Sequence, residues 1–153
     1  LPVIATTTLV FGLLLGFADR HAERTPGDRP LNFLVAIFIG LAQAVAPIPG
    51  VSRSGVTITA GLLLNMSRQD AARFSFLLSI PVISGAGVMK SVDLVQSTAP
   101  VNWPQMAIAA LVSAATAYLC IAVFLRLLDR VGMMPFVYYR IVLALVLFAL
   151  WLA

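Results

Sequence analysis

The chain has 153 residues, 61% of them hydrophobic and only 10% charged. Soluble domains carry about 25% charged residues, and a fold of this size could not hide so much apolar surface from water. Disorder and collagen are excluded by the same figures, and the lack of long alternating strands argues against an outer-membrane barrel. The composition is that of an integral membrane protein.

The net charge of +4 comes from 10 Lys+Arg against 6 Asp+Glu. These charges stand at the ends of apolar runs, the pattern of anchoring at a membrane surface rather than of nucleic-acid binding. The single cysteine, Cys120, lies inside an apolar run and says nothing about redox compartment. The sequence opens on Leu1 and lacks the basic leading region of a signal peptide. It reads as one membrane domain over 1–153, expected to be a fragment that begins inside a longer protein.

Leu1 to Ala18 is uncharged and predicts a transmembrane helix. Asp19–Pro30, DRHAERTPGDRP, predicts a surface loop with a turn at Pro26-Gly27 and a solvated His21. From Asn32 a helix is expected to run to Ala46. There Ala46-Pro47-Ile48-Pro49-Gly50 stops it, because each proline removes a donor and clashes with the preceding turn. A second short apolar piece covers Gly55 to Asn65. Both are below the roughly 17 residues needed to span a bilayer. Together they read as a re-entrant hairpin over about 32–65. Broken backbone at membrane depth survives only when buried in protein or lining a wet cavity, so the break is a candidate site.

Ser67 with Asp70 forms a capping box, and a helix follows to about Met89. Pro81 and the small residues Ser84, Gly85, Ala86 and Gly87 predict a kink and close packing there. A loop covers Lys90 to Val101. Asn102, with Gln105 three residues later, starts the next helix, which ends near Leu128 and whose Ala, Ser and Thr content suits tight helix contacts. Gly132 and Pro135 punctuate the last loop, and Phe136 to Ala153 is the final span, with Tyr138, Tyr139 and Trp151 as interface anchors. The fold expected is all-α, with about four transmembrane helices and one re-entrant hairpin.

This arrangement puts the loops near residues 19–30, 66–73 and 126–134 on one side. That side holds Arg20, Arg24, Arg29, Arg68, Arg73, Arg126 and Arg130, against Lys90 on the other. The positive-inside rule makes the basic loops cytoplasmic and the C-terminus extracytoplasmic. Arg140 is expected to snorkel to the basic side.

Arg53 belongs to neither face. It stands at the hairpin tip, with no other charge between Arg29 and Arg68. An arginine near the bilayer centre costs about 2.5–3.5 kcal/mol on insertion scales. It is either a structural group bonded to backbone carbonyls of a neighbouring helix or an anion ligand, whose planar fork of donors suits phosphate. The neighbours favour the anion. Ser52, Ser54 and Thr57 offer hydroxyls, Gly50 and Gly55 allow close backbone approach, and the second half-helix points its N-terminus at the break. Pro49, Gly50 and, two turns earlier, Gln43 would line the cavity. No His, Cys or acid pair has metal-ligand spacing on one face, and none can be placed beside Ser52 or Ser54 as a base. The acids Asp19, Glu23, Asp28, Asp70, Asp93 and Asp129 all fall at loops or helix ends.

The run Pro49-Gly50-Val51-Ser52-Arg53-Ser54-Gly55-Val56-Thr57 resembles the P-G-x-S-R-S-x-x-T motif of the undecaprenyl-diphosphate phosphatases, the bacitracin-resistance family of bacterial inner-membrane enzymes. Agreement extends to Gln43, to Gly61-Leu62-Leu63-Leu64, to Ser67-Arg68 and Ala71 through Leu78 with Pro81, and to Met134-Pro135-Phe136 with Tyr139-Arg140. The resemblance implies removal of the terminal phosphate of undecaprenyl diphosphate, which recycles the lipid carrier of peptidoglycan synthesis. It also implies an inverted-repeat fold of which this chain is the C-terminal part, the second half, together with a divalent cation (Mg or Ca) and a homodimer. By that likeness Arg53, Ser52, Ser54, Gly55 and Thr57 bind the diphosphate, with Arg53 and Ser52 acting on the reacting phosphate. The family's Glu-rich E-x-x-x-E and P-V-S-S-x-G-H motifs are absent here, so the 153 residues alone are expected to be inactive and the cation ligands to lie mostly elsewhere. A transporter or flippase of an anionic polyprenyl lipid is the alternative.

Overall fold

The computed structural model describes residues 1–24, 29–96 and 101–152. Among them are six helices: α1 (Pro2–Arg24), α2 (Phe33–Gln43), α3 (Arg53–Leu63), α4 (Arg68–Gln96), α5 (Trp103–Val131) and α6 (Met134–Leu152). Four are long and apolar enough to cross a membrane: α1, α4, α5 and α6. At 1.5 Å per residue the 11-residue helices α2 and α3 are each about 16 Å long, half of a hydrocarbon core. They form the expected hairpin.

The helix starts follow local chemistry. Asn32 caps α2 by accepting from Val35 N at 2.9 Å, and Asn102 caps α5 by accepting from Gln105 N at 3.2 Å. Ser67 accepts from Asp70 N at 3.0 Å and donates its hydroxyl to the Asp70 carboxylate at 2.8 Å, ahead of α4. At the other end of α3, Asn65 takes a left-handed φ of 62°. The amide of Met66 then reaches Gly61 O and that of Asn65 reaches Leu62 O, which satisfies the last carbonyls.

Several ends differ from expectation. The segment Asp19–Arg24 is helical, not loop: its Arg, His, Ala and Glu are compatible with helix, and His21 and Arg24 suit a helix C-terminus. His21 is exposed there, stacked on Phe17 with ring centroids 6.4 Å apart. The turn at Pro26-Gly27 lies outside the described residues, as does Asp28. Helix α2 ends at Gln43, three residues early, and tight i to i−3 bonds carry the chain through Ala44, Val45 and Ala46. Helix α4 runs through Pro81 and past Lys90 to Gln96, where an exposed Lys90–Asp93 pair at 3.2 Å spans one turn. Residues 97–100 are outside the described set.

Packing is uneven. Gly12 and Gly16, four residues apart in α1, let α6 approach: a Cβ at either would lie 3.1 Å from Arg140 Cβ or Val137 Cγ1. Gly61 does the same for Ala71 between α3 and α4, at 2.9 Å. The buried core, with Leu15, Ile39, Leu62, Met66, Leu128 and Met133, gathers around the hairpin. By contrast Ser84, Gly85, Ala86 and Gly87 are exposed, and nothing among the described residues lies within 4 Å of a Cβ placed at either glycine. Helix α5 buries only Leu128. The small residues of α4 and α5 therefore do not mediate the tight contacts expected of them among the described residues.

Candidate functional site

The hairpin tip is held from three sides. From α1, the Thr7 hydroxyl lies 2.5 Å from Pro49 O, and the Thr8 hydroxyl donates to Gly50 O at 3.4 Å. Gly50 has φ +91°, and a Cβ there would come within 2.7 Å of Ile4 O and 3.0 Å of Thr8 Oγ1, so only glycine fits. From α6, Arg140 Nη2 donates to Gly50 O at 2.7 Å and Val51 O at 3.1 Å. From α4, the Ser75 hydroxyl meets that of Thr57 at 2.6 Å.

Arg140 is thus not at the basic surface. It is only 9% exposed and its guanidinium turns to the break. Two carbonyls freed by the interrupted helix need donors, and Arg140 supplies them. Arg140 fills the structural part that the sequence left open for Arg53. It was missed because nothing in its own neighbourhood, Tyr138-Tyr139-Arg140, marks a partner 90 residues away.

Ser52 follows with φ 65° and ψ 110°, a costly conformation for a non-glycine residue. It caps α3, accepting from Gly55 N at 3.3 Å, while its side chain remains exposed to the cleft. Arg53 is the first residue of α3 and Ser54 the second; both are half-buried. Arg53 Nη1 is buried with no hydrogen-bond partner among the described residues. Thr57, one turn on, is buried, and its hydroxyl is committed to Arg53 O at 3.0 Å, Ser54 O at 3.1 Å and Ser75. Pro49 is exposed at the turn, and Gln43 is half-buried at the end of α2.

Two cavities adjoin Ser52. One, about 190 Å³, has Ser52, Ser54, Gly55 and Arg140 on its polar wall, and Leu15, Ile58, Phe124 and Phe136 among its apolar lining. The other, about 410 Å³, lies between α1, the tip and α6 and includes Thr8, Gly50, Ser52 and Arg140. Neither is lined by an acid or a histidine. Among the described residues no three of His, Cys, Asp and Glu converge as a metal site.

A second charged cluster closes the opposite end. Asp19, fully buried, accepts from Arg68 Nε at 2.5 Å and from Met133 N at 3.3 Å. Arg68 Nη2 also donates to Glu23 at 2.7 Å, and Gln69 donates to Asp129. The segments near residues 19, 68 and 130 therefore meet at one end, as expected. Asp19 itself is a correction: it lies at the last turns of a helix but is sealed from solvent by its partners. Eleven residues of α1 separate it from Thr8 at the tip, about 16 Å.

This geometry describes a break between two half-length helices, positively charged and rich in donors. A family model for the bacitracin resistance protein BacA matches residues 1–146. The chain is 58% identical over 151 residues to an undecaprenyl-diphosphatase of Alcanivorax borkumensis, covering 99% of this chain and 57% of that protein. It is 56% identical over 146 residues to an undecaprenyl-diphosphatase of Teredinibacter turnerae, covering 95% and 55%, and 53% identical over 152 residues to one of Saccharophagus degradans, covering 99% and 57%. The chain spans a little over half the length of these relatives. It belongs to the bacitracin resistance protein BacA family.

Proposed function

We propose, from that membership and from the tip geometry, that the protein removes the terminal phosphate of undecaprenyl diphosphate. Its role would then be recycling of the lipid carrier for peptidoglycan synthesis and resistance to bacitracin, with this chain supplying the diphosphate cradle. The observation that carries the reading is the buried, unpartnered Nη1 of Arg53 at the start of α3, next in sequence to Ser52 and Ser54, which line a cavity without a carboxylate. A buried cation with free donors and no acid is completed by an anion. Phosphoryl transfer spreads charge over the phosphate oxygens, and donors fixed at that position stabilise it. Thr57 contributes from behind, its bonds fixing the first turn of α3 on which Arg53 and Ser54 stand.

The same inventory limits the chemistry assigned to these residues. Ser52 has no base beside it, and arginine does not deprotonate at neutral pH. The divalent cation that the resemblance implies finds no ligand set among the described residues. Phosphate release from undecaprenyl diphosphate by the purified full-length protein tests the proposal. Activity should be robust and lost in Arg53→Ala with the protein still inserted; near-normal turnover of Arg53→Ala would overturn the cradle. The half-length helix pair also suits movement of an anionic polyprenyl lipid. Lipid translocation in vesicles without phosphate release would favour that transporter reading.

The site would lie in a bacterial inner membrane, with the hairpin entering from the cytoplasm and the lipid diphosphate and bilayer as partners. By resemblance its protein partner would be a second copy of itself, with no part for nucleic acid. In a Cys120→Ala background, Arg130→Cys should resist impermeant thiol reagents in intact cells and Gln105→Cys should react. The opposite pattern would reverse the orientation.

A further inference from the structure

Arg140 has more donors than its structural bonds consume. Both bonds to Gly50 and Val51 come from Nη2. Nε is buried with no partner among the described residues, in a side chain more than nine-tenths buried. The remaining nitrogen, Nη1, lies over the first turn of α3: a Cβ placed on Gly55 would be 2.7 Å from it and 3.2 Å from Ser52 Oγ. The guanidinium edge and the Ser52 hydroxyl therefore share one small space, floored by a residue with no side chain. That space opens into the 190 Å³ cavity whose other walls are apolar.

We infer that Arg140 is a second anion ligand of the tip, so that two arginines from separate helices, Arg53 and Arg140, divide the oxygens of one diphosphate. This rests on the cradle reading above and deepens it. Gly55 is then required by the ligand rather than by the helix. Its φ is not in the left-handed region, and a Cβ there would meet Arg140 Nη1 at 2.7 Å and Ser52 Oγ and Cβ at 3.2 and 3.3 Å, so alanine keeps the helix but must shift the guanidinium edge and press on the Ser52 cap. The apolar wall next to the polar one fits the first part of a prenyl chain attached to the phosphates.

The test uses the full-length protein purified in detergent, with two probes, inorganic diphosphate and farnesyl diphosphate, and four forms: wild type, Gly55→Ala, Arg140→Lys and Arg140→Ala. Gly55→Ala should stay folded, with a smaller loss of melting temperature than Arg140→Ala, yet bind diphosphate at least about tenfold more weakly, because the new methyl displaces Nη1. Arg140→Lys should retain the fold and lose a similar factor, since an ammonium cannot serve the carbonyls and the anion together. Arg140→Ala should lose both fold stability and binding. Weakening for both probes supports the cradle and assigns it to a lipid headgroup; weakening for inorganic diphosphate alone supports it and assigns it to a free anion. Binding of both probes within about twofold of wild type in Gly55→Ala and Arg140→Lys would overturn the inference, whatever Arg140→Ala does. Binding is read apart from turnover. A wild type that binds through Arg140 but releases no phosphate would therefore count against the phosphatase activity and leave this inference standing.

Discussion

The two ends of the hairpin each hold buried charge and resolve it in opposite ways. At the basal end Arg68 is matched by acids: Asp19, sealed from solvent, and Glu23, more than half exposed. At the tip, Arg140 bonds to carbonyls and lines cavities that contain no acid, and Arg53 Nη1 is buried with no partner among the described residues. A compensated charge cluster locks α1, α4 and α6 together and is finished as built. An uncompensated one is finished only by a ligand. The comparison separates a structural ion pair from a binding site without reference to either residue's type, since arginine serves at both.

The largest expected effect is at the tip. Arg53→Ala should lower phosphate release by about two to three orders of magnitude, the usual loss when one preorganised donor is removed from a reacting centre. Arg53→Lys should recover little of it, because the fork geometry is lost. Steady-state turnover in detergent would show this, and a mild effect at Arg53 would erase the contrast between the two ends.

Next comes the basal pair. Arg68→Ala leaves Asp19 buried and unpaired and should destabilise by about 3–5 kcal/mol. Asp19→Asn in the same chain should restore part of that loss, and a double-mutant cycle of thermal stability measures the coupling. Additive losses would mean that the pair is not what seals this end. Glu23→Gln, at the exposed partner, should cost under about 1 kcal/mol.

Smaller effects sharpen the boundary between support and site. Thr57→Ala orphans the buried Ser75 hydroxyl and should cost about 1–3 kcal/mol, with a modest fall in activity, relieved in stability by Ser75→Ala. Ser52→Ala removes a cap worth about 1 kcal/mol and should lower activity more than Thr57→Ala does, because its hydroxyl faces the cleft. Activity ratios normalised to folded protein distinguish the two. Equal losses would place Ser52 with the supports.

The half-length helices, the break between them, the caps at Ser67 and Asn102, and the charge isolation of Arg53 were legible in the sequence. Each depends on residues within a few positions of one another, where hydrogen-bond supply and bilayer thickness decide. Helix ends at Arg24 and Gln96 were less so, because a helix can continue through polar residues when nothing local stops it; α2 instead tightened into i to i−3 bonds after Gln43, ahead of the prolines. What only the tertiary structure decided is pairing across distance: Arg140 with Gly50 and Val51, Asp19 with Arg68 and Met133, Thr57 with Ser75. A polar group leaving water takes whichever partner the fold brings to it. For Arg140 the freed carbonyls of the hairpin were nearer than the surface, so the arginine expected at the membrane edge became part of the buried break.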